Sequence, residues 1–225
     1  MNKASHSTPA HPLWDWPVRL IHWLVAALLP AMWWTAEQGY LDVHAWMGKT
    51  LFVAVVTRLL WGFWGSPQAR FSDFLRGPGA VLRYLKSGDS PTPGHNPAGA
   101  WSAMLLWGLL IAQALTGMVN GDDVLFTGPL HYVFDSEATD KLSALHEPLF
   151  KILLGFVALH VLAIVYHERK KNERLLRPMI AGNAPDRAGT GPAQPLYKAI
   201  VLAAIVAGLL WLGISQAPAP PPSYW

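Results

Sequence analysis

The stretch LHEPLFKILLGFVALHV, residues 145–161, carries one histidine near each end, His146 and His160. The two are fourteen residues apart. A helix of fourteen residues rises about 21 Å and completes almost four turns, so both imidazoles are expected on one face. Their separation along the axis takes up much of the ~30 Å hydrocarbon core of a bilayer. The spacing therefore predicts a membrane helix with one imidazole toward each side of the membrane.

The composition also indicates a membrane protein. Of the 225 residues, 52% are hydrophobic and only 14% are charged, and twelve are tryptophan. Soluble domains carry about 25% charge, and tryptophan concentrates at membrane interfaces. The sequence has no cysteine, which excludes disulfides, thiolate metal clusters and the covalent attachment of a c-type haem. Any haem must therefore be held without covalent bonds.

Five apolar segments predict an all-α membrane protein, because each is close to the about 20 residues that a spanning helix needs. They lie at about 18–36, 44–64, 100–120, 142–166 and 196–215. We expect residues 1–17 to form an N-terminal tail and residues 18–182 to form a four-helix bundle. Residues 183–225 would supply a linker, a fifth C-terminal transmembrane helix outside the cofactor site, and a Pro-rich outer tail. Residues 78–86 could form a short surface helix.

The charges of the loops predict the orientation. Loops 65–99 and 167–195 contain ten Lys and Arg residues, whereas 37–43 and 121–140 are acidic and contain neither. Because basic loops stay in the cytoplasm, the N-terminus is expected inside and the C-terminus outside. The acidic loop 121–140 could also attract a basic soluble partner.

Four of the nine histidines fall within or at the edges of predicted spans, and they sort by depth into two pairs. His44 pairs with His146 on the outer side, and His22 pairs with His160 on the inner side. A single such histidine could equally be a packed side chain, but two imidazoles facing each other suit the axial ligation of haem iron. Zinc would need three or four ligands at one depth, and a di-iron site would need Glu-x-x-His pairs. The other histidines, expected at the surface or the interface, are His6, His11, His95, His131 and His167.

Two arginines and a glycine could serve such a cofactor. Arg58 is expected on the face of His44 but at the inner depth, where it suits a haem propionate. Arg19 is a second candidate, and snorkelling to the interface is the alternative for both arginines. Gly48 would leave room for a flat macrocycle, although small-residue helix packing explains it equally well. Three polar residues of the third span could contact a haem or a quinone, or could bond between helices: Gln113, Thr116 and Asn120.

Taken together, the chain resembles the bacterial cytochrome b561 and nickel-iron hydrogenase cytochrome b family. The resemblance covers about 13–182 and is carried by WDWPVRLIHW, LDVHAWMGK, RLLWGFWGS, GHNPAG, LTGMV and LHEPLFKILLGFVALHVLAIVYH. It implies a four-helix core in the bacterial inner membrane that holds two haem b groups, each with two histidine ligands. Carried over by position, these iron ligands are His22, His44, His146 and His160.

The favoured interpretation is a di-haem electron carrier, an electron-transfer subunit rather than a stand-alone enzyme. It would connect a periplasmic hydrogenase or c-type cytochrome with the quinone pool, in contact with membrane lipid and with no nucleic acid. A homo-oligomer is compatible with this interpretation. One alternative is a self-sufficient oxidoreductase of a small reductant such as superoxide with quinone, and another is a non-redox membrane scaffold.

Overall fold

The structure is a computed structural model that describes residues 11–88, 90, 92–121 and 126–219. Helices account for 74% of these residues, and no strand occurs among them. The helices are α1 Trp16–Glu37, α2 Leu41–Trp64, α3 Phe71–Phe74, α4 Pro78–Ser87, α5 Pro97–Val119, α6 Ser136–Lys170, α7 Leu176–Ala181 and α8 Leu196–Ser215. Short 3₁₀ turns lie at Pro67–Ala69 and His131–Val133.

Five of the helices, α1, α2, α5, α6 and α8, are long and apolar enough to cross a membrane. The predicted all-α membrane protein is thus confirmed, and α8 and the short helix α4 lie close to where the sequence predicts them. Helix α6 is longer than expected, because its first turns are polar and an apolar pattern does not detect them. Asp135 starts this helix by accepting the N–H of Ala138 at 2.9 Å, and Glu137 pairs with Lys141 at 2.5 Å.

Helix caps explain where two of the core helices begin. Asp15 accepts the backbone N–H of Val18 at 2.9 Å at the start of α1. Asn96 accepts the N–H of Gly99 at 2.7 Å at the start of α5, and Pro97 occupies the first helical position. The WDWP and GHNP stretches therefore have a structural role at the same end of the bundle.

Helix α2 lies at the centre of the bundle and packs against α1, α5 and α8, whereas α6 packs mainly against α5. The end of the bundle near Asp15 is the inner end, and the opposite end is the outer end. An apolar cluster at mid-depth draws residues from α1, α2, α5 and α6: Met32, Leu51, Val55, Leu110 and Leu153. This cluster separates the outer histidines from the inner ones.

The inner end is covered by residues 11–15, 66–69, 92–96 and 182–194, which we call the inner cap. Backbone bonds join its segments: the carbonyl of Gly182 accepts the N–H groups of Leu13 and Trp14 at 2.8 and 3.1 Å. The buried carboxylate of Asp15 accepts from Trp61 Nε1 at 2.9 Å and from Ser66 Oγ. Segments that are far apart in the sequence thus meet over the inner histidines.

Candidate functional site

The outer histidines, His44 on α2 and His146 on α6, face each other across the bundle. Their ring centroids are 6.3 Å apart and the ring planes make an angle of 83°. Two imidazoles that share one metal ion would have centroids about 6 Å apart, from two bonds of about 2 Å and two ring radii of about 1 Å. The spacing is too wide for a direct hydrogen bond and suits a shared metal ion.

A backbone carbonyl beside His44 determines which ring nitrogen carries the proton. His44 Nδ1 lies 2.9 Å from the carbonyl oxygen of Met32 on α1. A carbonyl can only accept, so Nδ1 carries the proton and donates it. The Nε2 lone pair is then available to a metal, which is the arrangement that metal-bound histidines adopt.

His146 is held by polar residues of α5. Thr116 Oγ1 donates to the carbonyl of Ala112 at 2.9 Å and lies 3.1 Å from His146 Nδ1. A lone pair of this hydroxyl oxygen can therefore accept the Nδ1–H of the ring, which places the ring's own lone pair on Nε2, within hydrogen-bond distance of the Gln113 amide. The amide of Gln113 lies 3.2 Å from both ring nitrogens and donates to the carbonyl of His146 at 3.0 Å.

Gly117 gives the ring of His146 its space. A Cβ at this position would lie 2.8 Å from His146 Cε1, closer than real Cβ contacts. Sequence reasoning missed both Gly117 and the carbonyl of Met32, although Gly117 belongs to the LTGMV stretch. Gly48 is different, because an added Cβ would meet only Met32 Cε at an ordinary 3.6 Å. Its assignment to a macrocycle stays a prediction.

The inner histidines are His22 on α1 and His160 on α6, both half-buried. They lie close enough to interact electrostatically. His22 Nδ1 is buried and has no hydrogen-bond partner among the described residues. Within the described part of the chain, His22 therefore lacks a partner of the kind that orients the outer histidines.

Arg58 lies at this inner level and is only 3% exposed, so it does not snorkel to the interface. Its guanidinium lies over the ring of Trp107, 4.5 Å from the centroid. Neither Nη1 nor Nη2 has a hydrogen-bond partner within the described part of the chain. A buried cation with free donors needs an anionic acceptor.

Arg19 already has protein partners. Its Nε donates to the carbonyl of Met179 at 3.3 Å, its Nη2 donates to the carbonyl of Ile180, and its guanidinium stacks on Trp16. These carbonyls lie at the C-terminal end of α7. A cationic side chain stabilises a helix at this end because it bonds the last carbonyl groups. The propionate role of Arg19 stays a prediction, and its contacts favour helix capping.

His95 is not the surface or interfacial residue that the sequence predicts. Its ring packs between Trp14 and Phe74, with centroids 4.8 and 4.7 Å away. Burial, together with the smaller effects of the charges of Arg58, His160 and His22, lowers the pKa of His95 to about 3. The loop GHNPAG thus brings a neutral imidazole to the inner histidines.

The other predicted surface histidines differ in their surroundings. His131 is half-buried, with Nδ1 at 2.9 Å from the carbonyl of Val119. His167 pairs with Glu173 at 3.0 Å, and His11 contributes its carbonyl to the inner cap. His6 lies outside the described residues, as do Asp122 and Asp123 of the acidic outer loop.

The donor set fits haem better than a bare metal ion. Among the described residues, no group of three or more His, Asp or Glu side chains could hold a metal ion by itself. Two imidazoles at one level fit an iron whose remaining ligands come from a porphyrin. Fold and site together define a multi-pass membrane protein with facing imidazoles in its interior.

The chain belongs to the prokaryotic cytochrome b561 family, whose family model matches residues 13–182. This range includes both histidine pairs, Arg58 and His95, and it ends before the linker and α8. The resemblance read from the sequence is therefore confirmed. The protein is a membrane b-type cytochrome that binds b-type haem and acts in electron transfer. No curated protein and no solved structure shows significant similarity to the chain.

Proposed function

We propose that the protein carries electrons through two haem b groups between a periplasmic redox partner and the quinone pool. His44 and His146 ligate the outer group, and His22 and His160 ligate the inner one. The observation that carries this proposal is that His44 and His146 face each other with ring centroids 6.3 Å apart, each with a hydrogen-bond partner at Nδ1.

The residues of the chain bind and orient, and a bound haem supplies a one-electron iron couple. The carbonyl of Met32 and the hydroxyl of Thr116 favour the tautomer of the outer imidazoles that carries the lone pair on Nε2, and at His146 a bound iron would take the place of the Gln113 amide contact at that atom. With two protein imidazoles holding the iron at each level, a bound haem would have no vacant coordination site for a substrate. Such a site favours electron transfer over oxygen chemistry.

Arg58 supports the inner level. A haem carries two propionates, and a carboxylate is the acceptor that the unpaired guanidinium requires. Because Arg58 is buried, a propionate there would be held in a weakly screened ion pair. The charge of Arg58 thereby selects an anionic cofactor over a neutral one.

Helical geometry supports a single electron-transfer path that passes through both proposed haem sites across the membrane. The ligands on α6 are fourteen residues apart, which corresponds to about 21 Å along the axis. The mid-depth apolar cluster lies between the levels and excludes water from that path. With the N-terminus in the cytoplasm, the outer level faces a periplasmic hydrogenase or c-type cytochrome in the bacterial inner membrane.

Haem counting and quinol oxidation test this proposal. Protein purified in detergent should give two haem b per chain by pyridine haemochrome and two components in a redox titration. Protein that is fully folded but holds no reducible b-type haem would refute it.

Under anaerobic conditions, a short-chain quinol should reduce the haems in a stopped-flow instrument. If haem is bound and quinol fails to react, the quinone half of the proposal is wrong and the haem half stands.

A further inference from the structure

The inner end of the bundle holds buried nitrogen atoms that have no hydrogen-bond partner among the described residues. Within the described residues, Nη1 and Nη2 of Arg58 and Nδ1 of His95 are buried and have no hydrogen-bond partner. Native proteins rarely leave such atoms unpaired, so an unpaired group calls for an explanation. Here the three atoms lie in one region, because ring contacts through Trp107, Phe71 and Phe74 connect Arg58 to His95. The charge of Arg58 also acts on His95.

The carboxylate whose charge acts on Arg58, Asp15, is already occupied. One of its oxygens accepts from the N–H of Val18, and the other accepts from Trp61 Nε1 and Ser66 Oγ. Asp15 therefore fastens the inner cap and makes no hydrogen bond to Arg58. Among the described residues, Asp15 is thus a nearby negative charge whose oxygens are already used, and it does not pair with the free nitrogens of Arg58.

His95 is fixed in place without using its Nδ1. Trp14 and Phe74 hold the two sides of its ring, and Thr92 Oγ1 donates to its carbonyl. The neighbouring Pro93 carbonyl accepts from Arg187 at 3.3 Å. Packing and backbone bonds thus immobilise a donor to which the protein offers no partner, as a preformed binding site requires.

We infer that His95 is a positioning residue of the inner site, where its Nδ1–H and the guanidinium of Arg58 bind one carboxylate, a propionate of the inner haem. The inference rests on the proposed function and extends it to a residue that is not an iron ligand. Both groups donate, so the ligand must accept and carry negative charge. The nearby His22 and His160 favour a carboxylate on a macrocycle, because a quinone carbonyl would leave the charge of Arg58 unbalanced.

The inferred contact has a consequence for the reduction potential. A bare propionate stabilises the oxidised, more positive iron, so donors that draw off its charge favour the reduced state. His95→Phe keeps an aromatic ring between Trp14 and Phe74 but removes the donor. His95→Asn restores an N–H close to the position of Nδ1, whereas His95→Gln places its amide farther along the side chain.

The experiment is an equilibrium redox titration, followed by visible spectra, of the wild-type protein and these three variants. The inner component is identified as the one that His160→Ala removes. We expect His95→Phe and His95→Gln to lower the midpoint potential of the inner component, and His95→Asn to restore most of it. The outer component, an internal control in the same molecule, should not move.

Several results would overturn the inference. They are an unchanged inner potential in His95→Phe, an equal shift of both components, or a potential in His95→Asn as low as in His95→Phe. If His95→Phe fails to load the inner haem, loading by His95→Asn supports the inference and failure of both variants contradicts it. A weaker reaction with quinol at unchanged potentials would assign His95 to a quinone instead. A wild-type protein without b-type haem would refute the proposed function itself, so the two failures are distinguishable.

Discussion

At the outer end of the bundle, His44 and His146 each have a partner for Nδ1, the carbonyl of Met32 and the hydroxyl of Thr116. At the inner end, His22 and Arg58 have buried nitrogens without partners among the described residues. Both ends place imidazoles on facing helices, but only the outer end satisfies these atoms with its own side chains and backbone. Under the proposed function, the outer ligands would be oriented before a cofactor arrives, whereas the inner site would need a bound anion to pair its free nitrogens.

This difference affects the free energy of cofactor binding at the outer end and the stability of the cofactor-free protein at the inner end. Orienting an imidazole in advance lowers the entropy lost on binding, which favours the outer site. Burying an unpaired guanidinium destabilises the inner end until a carboxylate arrives. Under the proposed function, haem binding at the inner site should depend on the negative charge of the propionates, and haem binding at the outer site should depend mainly on the orientation of the histidines.

Removing single ligands should have the largest effect and tests whether the two ends are separate. His44→Ala should abolish the outer component of the redox titration and leave the inner one, and His160→Ala should do the reverse. The two ligands on α6 cannot share an iron, because they lie about 21 Å apart along the axis. His167→Ala is the matched control, since it removes a histidine from the same helix and should keep both components.

The pairing would be wrong if His44→Ala and His160→Ala removed the same component. Loss of both components in each ligand variant, with His167→Ala intact, would show that the two sites fold as one unit. The separation of the two ends would then be wrong.

Gly117→Ala should weaken the outer site alone. The added Cβ would lie 2.8 Å from His146 Cε1 and displace the imidazole. Changes to residues that hold a metal-binding histidine in place lower the affinity for the metal by about tenfold or more. Outer haem content after dilution in detergent, measured by pyridine haemochrome, reports the change.

Gly108→Ala is the control on the same helix, because its Cβ would meet nothing within 4 Å. Alanine favours helix at both positions, so a loss specific to Gly117→Ala cannot come from helix propensity. Equal behaviour of the two variants would mean that His146 does not need the space beside Gly117.

Arg58→Met should have opposite effects with and without haem. In haem-free protein it removes a buried charge without a hydrogen-bonded partner and should raise the free energy of unfolding by about 1 kcal/mol or more. The lost contact with Trp107 offsets part of this gain. In haem-loaded protein the same change should lower the potential of the inner component, because the propionate loses its cation.

Thermal unfolding in detergent, with and without haem, measures the first effect, and redox titration measures the second. Arg83→Met removes an exposed arginine from α4 and should change neither. Destabilisation of the haem-free protein by Arg58→Met would show that Arg58 is balanced within the protein.

The smallest expected effect concerns docking at the outer surface. A test from sequence alone would neutralise Asp122, Asp123, Asp135 and Glu137, but Asp135 caps α6 and should be left intact. Glu137→Gln with Asp140→Asn should slow reduction by a basic c-type cytochrome roughly two- to fivefold at low ionic strength.

The docking effect should vanish at high salt, where surface charges are screened. Asp186→Asn, an exposed change at the inner end, is the control and should leave the rate unchanged. A rate that is independent of the outer charges at low salt would exclude electrostatic docking through these two residues.

Sequence alone predicted the membrane helices to within a few residues at most ends, and it assigned the four histidines to two depths. Both results depend on local quantities, namely hydropathy and the rise of about 1.5 Å per residue along a helix. The same rise placed Arg58 at the inner level, and its burial agrees with that placement. The first turns of α6 escaped this reasoning because polar helix turns leave no apolar pattern.

Other features were decided by the tertiary structure alone. His95 enters the interior because Trp14 and Phe74, remote in the chain, enclose its ring, and Arg19 meets α7 because the chain returns to the inner end after α6. Such contacts depend on how loops pack, and neither composition nor periodicity encodes that packing. Which nitrogen of His44 is free is decided by the carbonyl of Met32, a backbone atom that every residue carries and that no side-chain pattern can single out. The sequence thus assigned a depth to each of the four histidines in the spanning helices, and the packing of distant segments determined the partners of the histidines.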